Sequence, residues 1–180
     1  MILPLLLLAV SASAADTPKP ATPAETGRKT LTLALADLYA GNEIYALAKK
    51  AYSFSCNSTS SYGQLMVIQD LVERAGALGV NAATRLASKP SLKDPASADL
   101  FKTILEEARL ASASHGEVKA AAEKCKSFAE KKAHETADPS DGDSPWDTTR
   151  MHAGVNVIAI DKIDASAAAK AAEALAPAKK

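Results

Sequence analysis

The sequence predicts an all-α protein, an antiparallel up-down bundle of three long helices plus a fourth, closed by one disulfide. Three observations carry this prediction. Apolar residues recur at alternating steps of three and four over two long stretches, which is the period of a helix that buries one face. Alanine, the strongest helix former, is frequent in these stretches. The chain also has only two cysteines, Cys56 and Cys125.

Residues 1–15 have the pattern of a signal peptide. An apolar run extends over residues 2–10 and is shorter than the roughly 20 residues that span a bilayer. Ala12-Ser13-Ala14 follows it as a site that signal peptidases cut. No Lys or Arg precedes the run, so a buried N-terminal helix is the alternative interpretation. We expect a secreted or periplasmic protein whose mature chain has no transmembrane segment and no lipid anchor.

Residues 16–29 are predicted to be a flexible, proline-rich spacer. Pro18, Pro20 and Pro23 lie within it, and each proline removes a backbone donor and fixes an extended φ. The single helical domain is expected over residues 30–176, followed by a short tail at 177–180.

The first helix is predicted from about Thr30 to about Ser55, with a kink or break at Gly41-Asn42. The second is predicted over Gln64–Ser88, where Lys89-Pro90 ends it because the residue before a proline leaves the α region. Its apolar seam consists of Leu65, Ile68, Val72, Ala75, Gly79, Ala82 and Leu86, widened by Leu71 and Leu78.

The third helix is predicted to begin after Pro95, with Ser97 as its cap, and to end near Glu135. Its seam is rich in alanine, which buries little area, so we expect a thin core with closely spaced helices. The seam consists of Phe101, Ile104, Ala108, Ala111, His115, Val118, Ala122, Cys125 and Ala129.

Turn-forming residues fill 137–147, which is therefore predicted to be a loop. A fourth helix is predicted from Thr148 to Leu175. Within it, residues 151–163 are ambiguous, because their apolar pattern fits either a helix or a short strand.

The two cysteines are predicted to form a disulfide. An oxidising compartment favours a bridge over two thiols, and neither cysteine has the neighbouring Cys or His that zinc sites use. The second helix would run about 37 Å away from Cys56, and the third would bring Cys125 about 42 Å back. An up-down-up topology therefore places the pair within bridging distance.

The composition and motifs argue against several function classes. The chain has 21 basic and 21 acidic residues with no long run of either sign, whereas nucleic-acid binding normally requires a basic face. No catalytic motif, phosphate-binding glycine loop or metal-ligand spacing occurs. The sequence therefore predicts a non-enzyme with no cofactor and no bound metal.

Three residues are candidate sites. Trp146, the only tryptophan, is a possible protein-partner contact, because aromatic residues dominate interface hot spots; packing over the end of the bundle is its alternative. His115 lies on the apolar seam and is a possible haem or metal ligand, or else a hydrogen-bonded core histidine. Asn57 begins an Asn-Ser-Thr acceptor site for N-glycosylation.

The stretch 121–129, Ala-Ala-Glu-Lys-Cys-Lys-Ser-Phe-Ala, resembles the third-helix cysteine region of plant invertase and pectin methylesterase inhibitors. That family pairs four cysteines locally, so the resemblance transfers no residue roles. Elimination leaves an exported non-catalytic binding or protein-protein interaction module, of the inhibitor, adaptor or surface-antigen kind. A haem or metal carrier built on His115 and a small secreted hydrolase are the alternatives.

Overall fold

The computed structural model describes residues 21–140 and 142–176, and in these ranges it contains five α-helices and no strand. The predicted all-α class is confirmed. The predicted signal peptide at 1–15 and the tail at 177–180 lie outside the described residues. The helices are α1 (Pro23–Ser55), α2 (Tyr62–Ala87), α3 (Pro95–Thr136), α4 (Asp147–Asp161) and α5 (Ala167–Leu175).

Helix α1 begins at Pro23, seven residues before the predicted Thr30. A capping box starts it: the Glu25 backbone N–H donates to Thr22 Oγ1 at 3.2 Å, and the Thr22 N–H donates to Glu25 Oε2 at 2.7 Å. Proline is favoured at the first helical position, where no backbone donor is needed. The assignment of residues 23–29 to a flexible spacer is therefore wrong.

Helix α1 also continues through Gly41-Asn42, where the sequence suggests a kink or break. Both residues contact neighbouring helices. A Cβ on Gly41 would lie 3.4 Å from the backbone oxygen of Ala75, so α1 and α2 lie close together at this point. The Asn42 Nδ2 donates to both the backbone oxygen and the carboxylate of Glu107 on α3, at 3.2 and 2.7 Å.

The predicted seams of α2 and α3 are largely buried. In α2, the seam residue Gly79 is half-buried, whereas Gly76, three residues earlier and outside the predicted seam, is buried. In α3, every seam residue is buried except the half-buried His115. The predicted cap of α3 is wrong: Asp94 is the N-cap, and the Ser97 backbone N–H and hydroxyl both donate to its carboxylate, at 3.0 and 2.6 Å.

The predicted fourth helix is two helices, because residues 162–166 form a turn between α4 and α5. Residues 151–161 are helical, which resolves the choice between helix and strand for most of that segment. Side chains of α3 bind the backbone at the break. The Ser112 hydroxyl donates to the Ala165 carbonyl at 3.0 Å, and His115 Nε2 lies 3.1 Å from the Ile160 carbonyl oxygen.

The core divides into two clusters. The disulfide cluster consists of Tyr45, Ala48, Tyr52, Cys56, Leu65, Ile68, Val72, Ala75, Val118, Ala122, Cys125, Ala153 and Ile160. The alanine cluster consists of Leu31, Ala34, Leu38, Ala82, Leu86, Phe101, Ile104, Ala108, Ala111, Ala168 and Ala172. Helix α4 covers the first cluster and α5 covers the second.

Candidate functional site

The predicted disulfide between Cys56 and Cys125 is present, with the two Cα atoms 5.5 Å apart. It lies in the wall of a cleft of about 350 Å³ between α1 and α3. Asn57 and Phe128 also line this cleft. The sequon, which directly follows Cys56 in the chain, therefore lies at the same end of α1 as the disulfide.

Asn57 is exposed in the turn that follows α1. Its glycosylation stays a prediction.

Trp146 is half-buried and packs edge-on against Phe128 of α3, with the ring centroids 5.6 Å apart and an interplanar angle of 81°. Such a T-shaped pair is a favourable aromatic geometry. Lys132 Nζ lies 6.0 Å from the centroid of the Phe128 ring. Trp146 therefore fixes the end of the 137–147 segment on α3, and its role as a partner contact stays a prediction.

His115 lies apart from these residues, between α1 and the end of α4. Its ring packs edge-on against Tyr45, with centroids 5.8 Å apart. Because a carbonyl oxygen can only accept, the contact with Ile160 requires Nε2 to carry the proton. Through this hydrogen bond, His115 links α3 to the end of α4. Within residues 21–140 and 142–176, no group of three or more His, Cys, Asp or Glu could hold a metal ion.

Asn156 is a buried polar residue that is absent from the predicted candidate sites. Its Nδ2 donates to the Tyr52 hydroxyl at 3.0 Å and to the Leu65 carbonyl at 2.8 Å, so it links α4 to α1 and α2. Burial raises the pKa of Tyr52 to about 12, and the hydrogen bond from Asn156 opposes this shift. The spacing along the sequence could have indicated that Asn156 is buried, because Ala153, Asn156 and Ile160 share one helical face.

An apolar groove between α1 and α2 is a second feature that the sequence does not predict. It has a volume of about 450 Å³, and its walls are Ala51 and Phe54 on α1 and Val67 and Leu71 on α2. Phe54 is 67% exposed and Val67 is 61% exposed. Leu47, which is 56% exposed, lies one turn before Ala51 on the same helical face.

A further cleft of about 430 Å³ lies between α2 and α4, and it differs in character from the groove. Val80, Val155 and Ile158 are exposed there. Charged residues at its edge, among them Glu73 and Lys162, interrupt the apolar surface. The α1–α2 groove therefore has the more uniformly apolar wall of the two.

In the part of the chain that the structure describes, no helix combines the length and the hydropathy needed to cross a membrane. Comparisons with protein-family models, curated proteins and solved structures found no match to this chain.

Proposed function

We propose that this chain is an exported, non-catalytic interaction module that binds a helix of a partner protein in the groove between α1 and α2. The observation that carries the proposal is the exposure of Phe54 and Val67 on the two sides of one apolar groove. Large apolar side chains in a contiguous exposed patch are typical of interaction sites.

An up-down-up arrangement of α1, α2 and α3 supports the proposal, because it leaves the outer side of α1 and α2 uncovered. Three contacts between α1 and α3 follow the same order along both helices: Asn42 with Glu107, Lys49 with Glu117, and Cys56 with Cys125. The ion pair between Asp37 and Arg85 joins the first half of α1 to the end of α2. These pairs favour a parallel α1–α3 pair with α2 antiparallel to both.

The shape of the groove favours a helix as the occupant. Leu47, Ala51 and Phe54 form a row with steps of four and three on α1, and Gly63, Val67 and Leu71 form a row with steps of four on α2. Two such rows match the apolar stripe of an amphipathic helix, whose anchors recur at the same steps. A Cβ on Gly63 would contact no other atom within 4 Å, so this end of the groove is open.

Export is supported by the predicted signal peptide and by the disulfide, which persists in oxidising compartments. A partner is therefore expected in the periplasm or outside the cell.

Photo-crosslinking in the source cell, followed by binding measurements, tests this proposal. A photo-crosslinking amino acid at position 47 is expected to capture a partner that the same amino acid at position 131, on α3, does not. With the purified partner, Val67→Glu is expected to weaken binding at least tenfold, because it buries a charge (~1.4 kcal/mol per factor of ten). Val80→Glu is the matched control on the same helix and should bind like the wild type.

Three results would overturn the proposal. The first is equal loss of binding in Val67→Glu and Val80→Glu. The second is a crosslinked dimer of the chain itself, which would assign the groove to self-association. The third is a Soret band or stoichiometric metal in protein purified from its native compartment, which would favour the carrier built on His115.

A further inference from the structure

Another cleft lies at the opposite end of α2 from the α1–α2 groove, where the end of α2, the start of α3 and the end of α5 meet. Its volume is about 620 Å³, within the range of roughly 300–1,000 Å³ that is common for small-molecule sites. Leu92, Phe101, Leu105 and Leu175 provide its apolar wall. Phe101 is buried, whereas Leu92, Leu105 and Leu175 are half-buried, so apolar surface faces the cleft.

Three lysines, Lys89, Lys93 and Lys102, also line this cleft, and no acidic residue does. Lys102 forms an ion pair with Asp99 at 2.9 Å. Among the described residues, Lys89 and Lys93 have no ion-pair partner. The cleft therefore combines an apolar wall with uncompensated positive charge.

The backbone of Lys89 adopts a left-handed conformation directly after the C-cap of α2. Its φ is +54°, and among the described residues it is the only non-glycine residue with a positive φ. Glycine or asparagine is the usual residue in this left-handed conformation at the end of a helix, because a side chain costs free energy there. A lysine held in this conformation at the mouth of a cleft fits a role for its charge.

We propose that this cleft binds a single-chain amphiphile with a carboxylate head, such as a free fatty acid. The hydrocarbon chain would lie against Leu92, Phe101, Leu105 and Leu175. The carboxylate would pair with the ammonium groups of Lys89 and Lys93. This site is separate from the α1–α2 groove, so either proposal can fail without the other.

Titration calorimetry of the full chain with monomeric dodecanoate tests the proposal, with dodecanol as the uncharged probe of the same chain length. Dodecanoate is expected to bind at least tenfold more tightly than dodecanol, because only the carboxylate pairs with the lysines. The variant Lys89→Gly/Lys93→Ala is expected to lose this difference. The control Lys29→Ala/Lys50→Ala removes the same charge from exposed positions on α1 and should bind dodecanoate like the wild type.

The site variant also separates binding from folding. Glycine relieves the left-handed backbone at position 89, so the variant is expected to have a thermal midpoint no lower than that of the wild type while it binds dodecanoate less tightly. Equal binding of dodecanoate by the site variant and the control would overturn the proposal. Binding that requires removal of residues 177–180 would also overturn it, by assigning the cleft to the chain's own C-terminus. Binding to anionic phospholipid vesicles without binding of dodecanoate would assign the lysines to a membrane surface instead.

Discussion

The two core clusters are held together by different interactions. The disulfide cluster contains the Cys56–Cys125 bridge and two buried tyrosines, and Asn156 forms hydrogen bonds at its edge. Six of the eleven residues of the alanine cluster are alanines, and it has no covalent link. Alanine buries little area, so the helices around the second cluster gain less free energy from each contact.

The helices that cover the two clusters differ in the same way as the clusters do, because α4 has more specific contacts than α5. Helix α4 has 15 residues, and Thr149 and Asn156 form hydrogen bonds to the segments beneath it. Helix α5 has only nine residues, too few to be stable alone. Its buried contacts come from Ala168 and Ala172. We therefore expect α5 to open with a lower free energy than α4.

Removal of the disulfide should have the largest effect. Its sequence separation is 69 residues, and the chain-entropy model gives a loss of about 4 kcal/mol for a loop of that length. The double variant Cys56→Ser/Cys125→Ser should therefore unfold at a much lower denaturant concentration, as measured by circular dichroism. The reduced wild type is the control and should behave like the variant. A loss below about 1 kcal/mol would contradict the role assigned to the bridge.

A larger side chain in the alanine cluster should have the next largest effect. Ala172 is fully buried where α5 contacts the bundle, and Ala172→Leu is expected to cost about 2 kcal/mol through overpacking. Amide hydrogen exchange should show the loss first in α5, while α4 remains protected. Ala174→Leu, at an exposed position of the same helix, should change little. Equal loss of protection in α4 and α5 would contradict the expectation that the two clusters open with different free energies.

The sequence predicts the long helices well because their apolar residues repeat regularly, as Leu65, Ile68 and Val72 do in α2. It fails at α4 and α5, where the break depends on side chains of α3 that are about fifty residues away in the chain, Ser112 and His115. Such contacts leave no local pattern. The early start of α1 could have been predicted from the sequence, because Thr22 and Glu25 have the spacing of a capping box.

The candidate sites show the same limit. The disulfide could be predicted because helix length fixes where each cysteine lies along the bundle. The groove at Phe54 and Val67 could not, because hydrophobicity alone does not tell which apolar side chains stay exposed. In α4 the pattern misleads, since Val155 and Ile158 are exposed and Asn156 is buried.

Two glycines of α2 should give smaller changes of opposite sign. A Cβ on Gly76 would lie 2.7 Å from the Cγ2 of Ile163, in the turn between α4 and α5. Gly76→Ala should therefore destabilise the fold, because the Ile163 side chain or the turn that carries it must move. A Cβ on Gly79 would contact nothing within 4 Å, so Gly79→Ala should raise the free energy of unfolding by up to about 1 kcal/mol through helix propensity. Thermal unfolding of both variants measures the difference, and stabilisation by both would contradict the packing at Gly76.

Alkaline pH should weaken the disulfide cluster. Burial raises the pKa of both Tyr45 and Tyr52 to about 12, against about 10 in an unfolded chain. Because the fold favours the neutral phenols, their contribution is complete below about pH 10 and is lost as the pH rises toward 12. Hydrogen exchange around Tyr52 should increase over that range. The variant Tyr52→Phe should show a smaller loss, and an unchanged alkaline loss would contradict the prediction.

Acidic pH should weaken the end of the bundle that contains the alanine cluster. We expect this effect to be the smallest of those predicted here. Hydrogen bonds from Ser97, and less strongly the neighbouring Arg28, lower the pKa of Asp94 at the start of α3. The stability that this carboxylate contributes is present above about pH 4, the ordinary pKa, and is lost as the pH falls through the lowered value. Amide hydrogen exchange at the first turn of α3 should increase in this acidic pH range. Asp94→Asn keeps a capping side chain that does not titrate, so an identical acid response in this variant would contradict the assignment.

We propose that this helical protein, which the Cys56–Cys125 disulfide closes, is exported. Peptide mapping of non-reduced protein from the source cell tests it most directly. We predict one linked pair of peptides, containing Cys56 and Cys125, and a mature N-terminus near Ala15. Alkylated free thiols at both cysteines, together with an intact Met1, would contradict the claim.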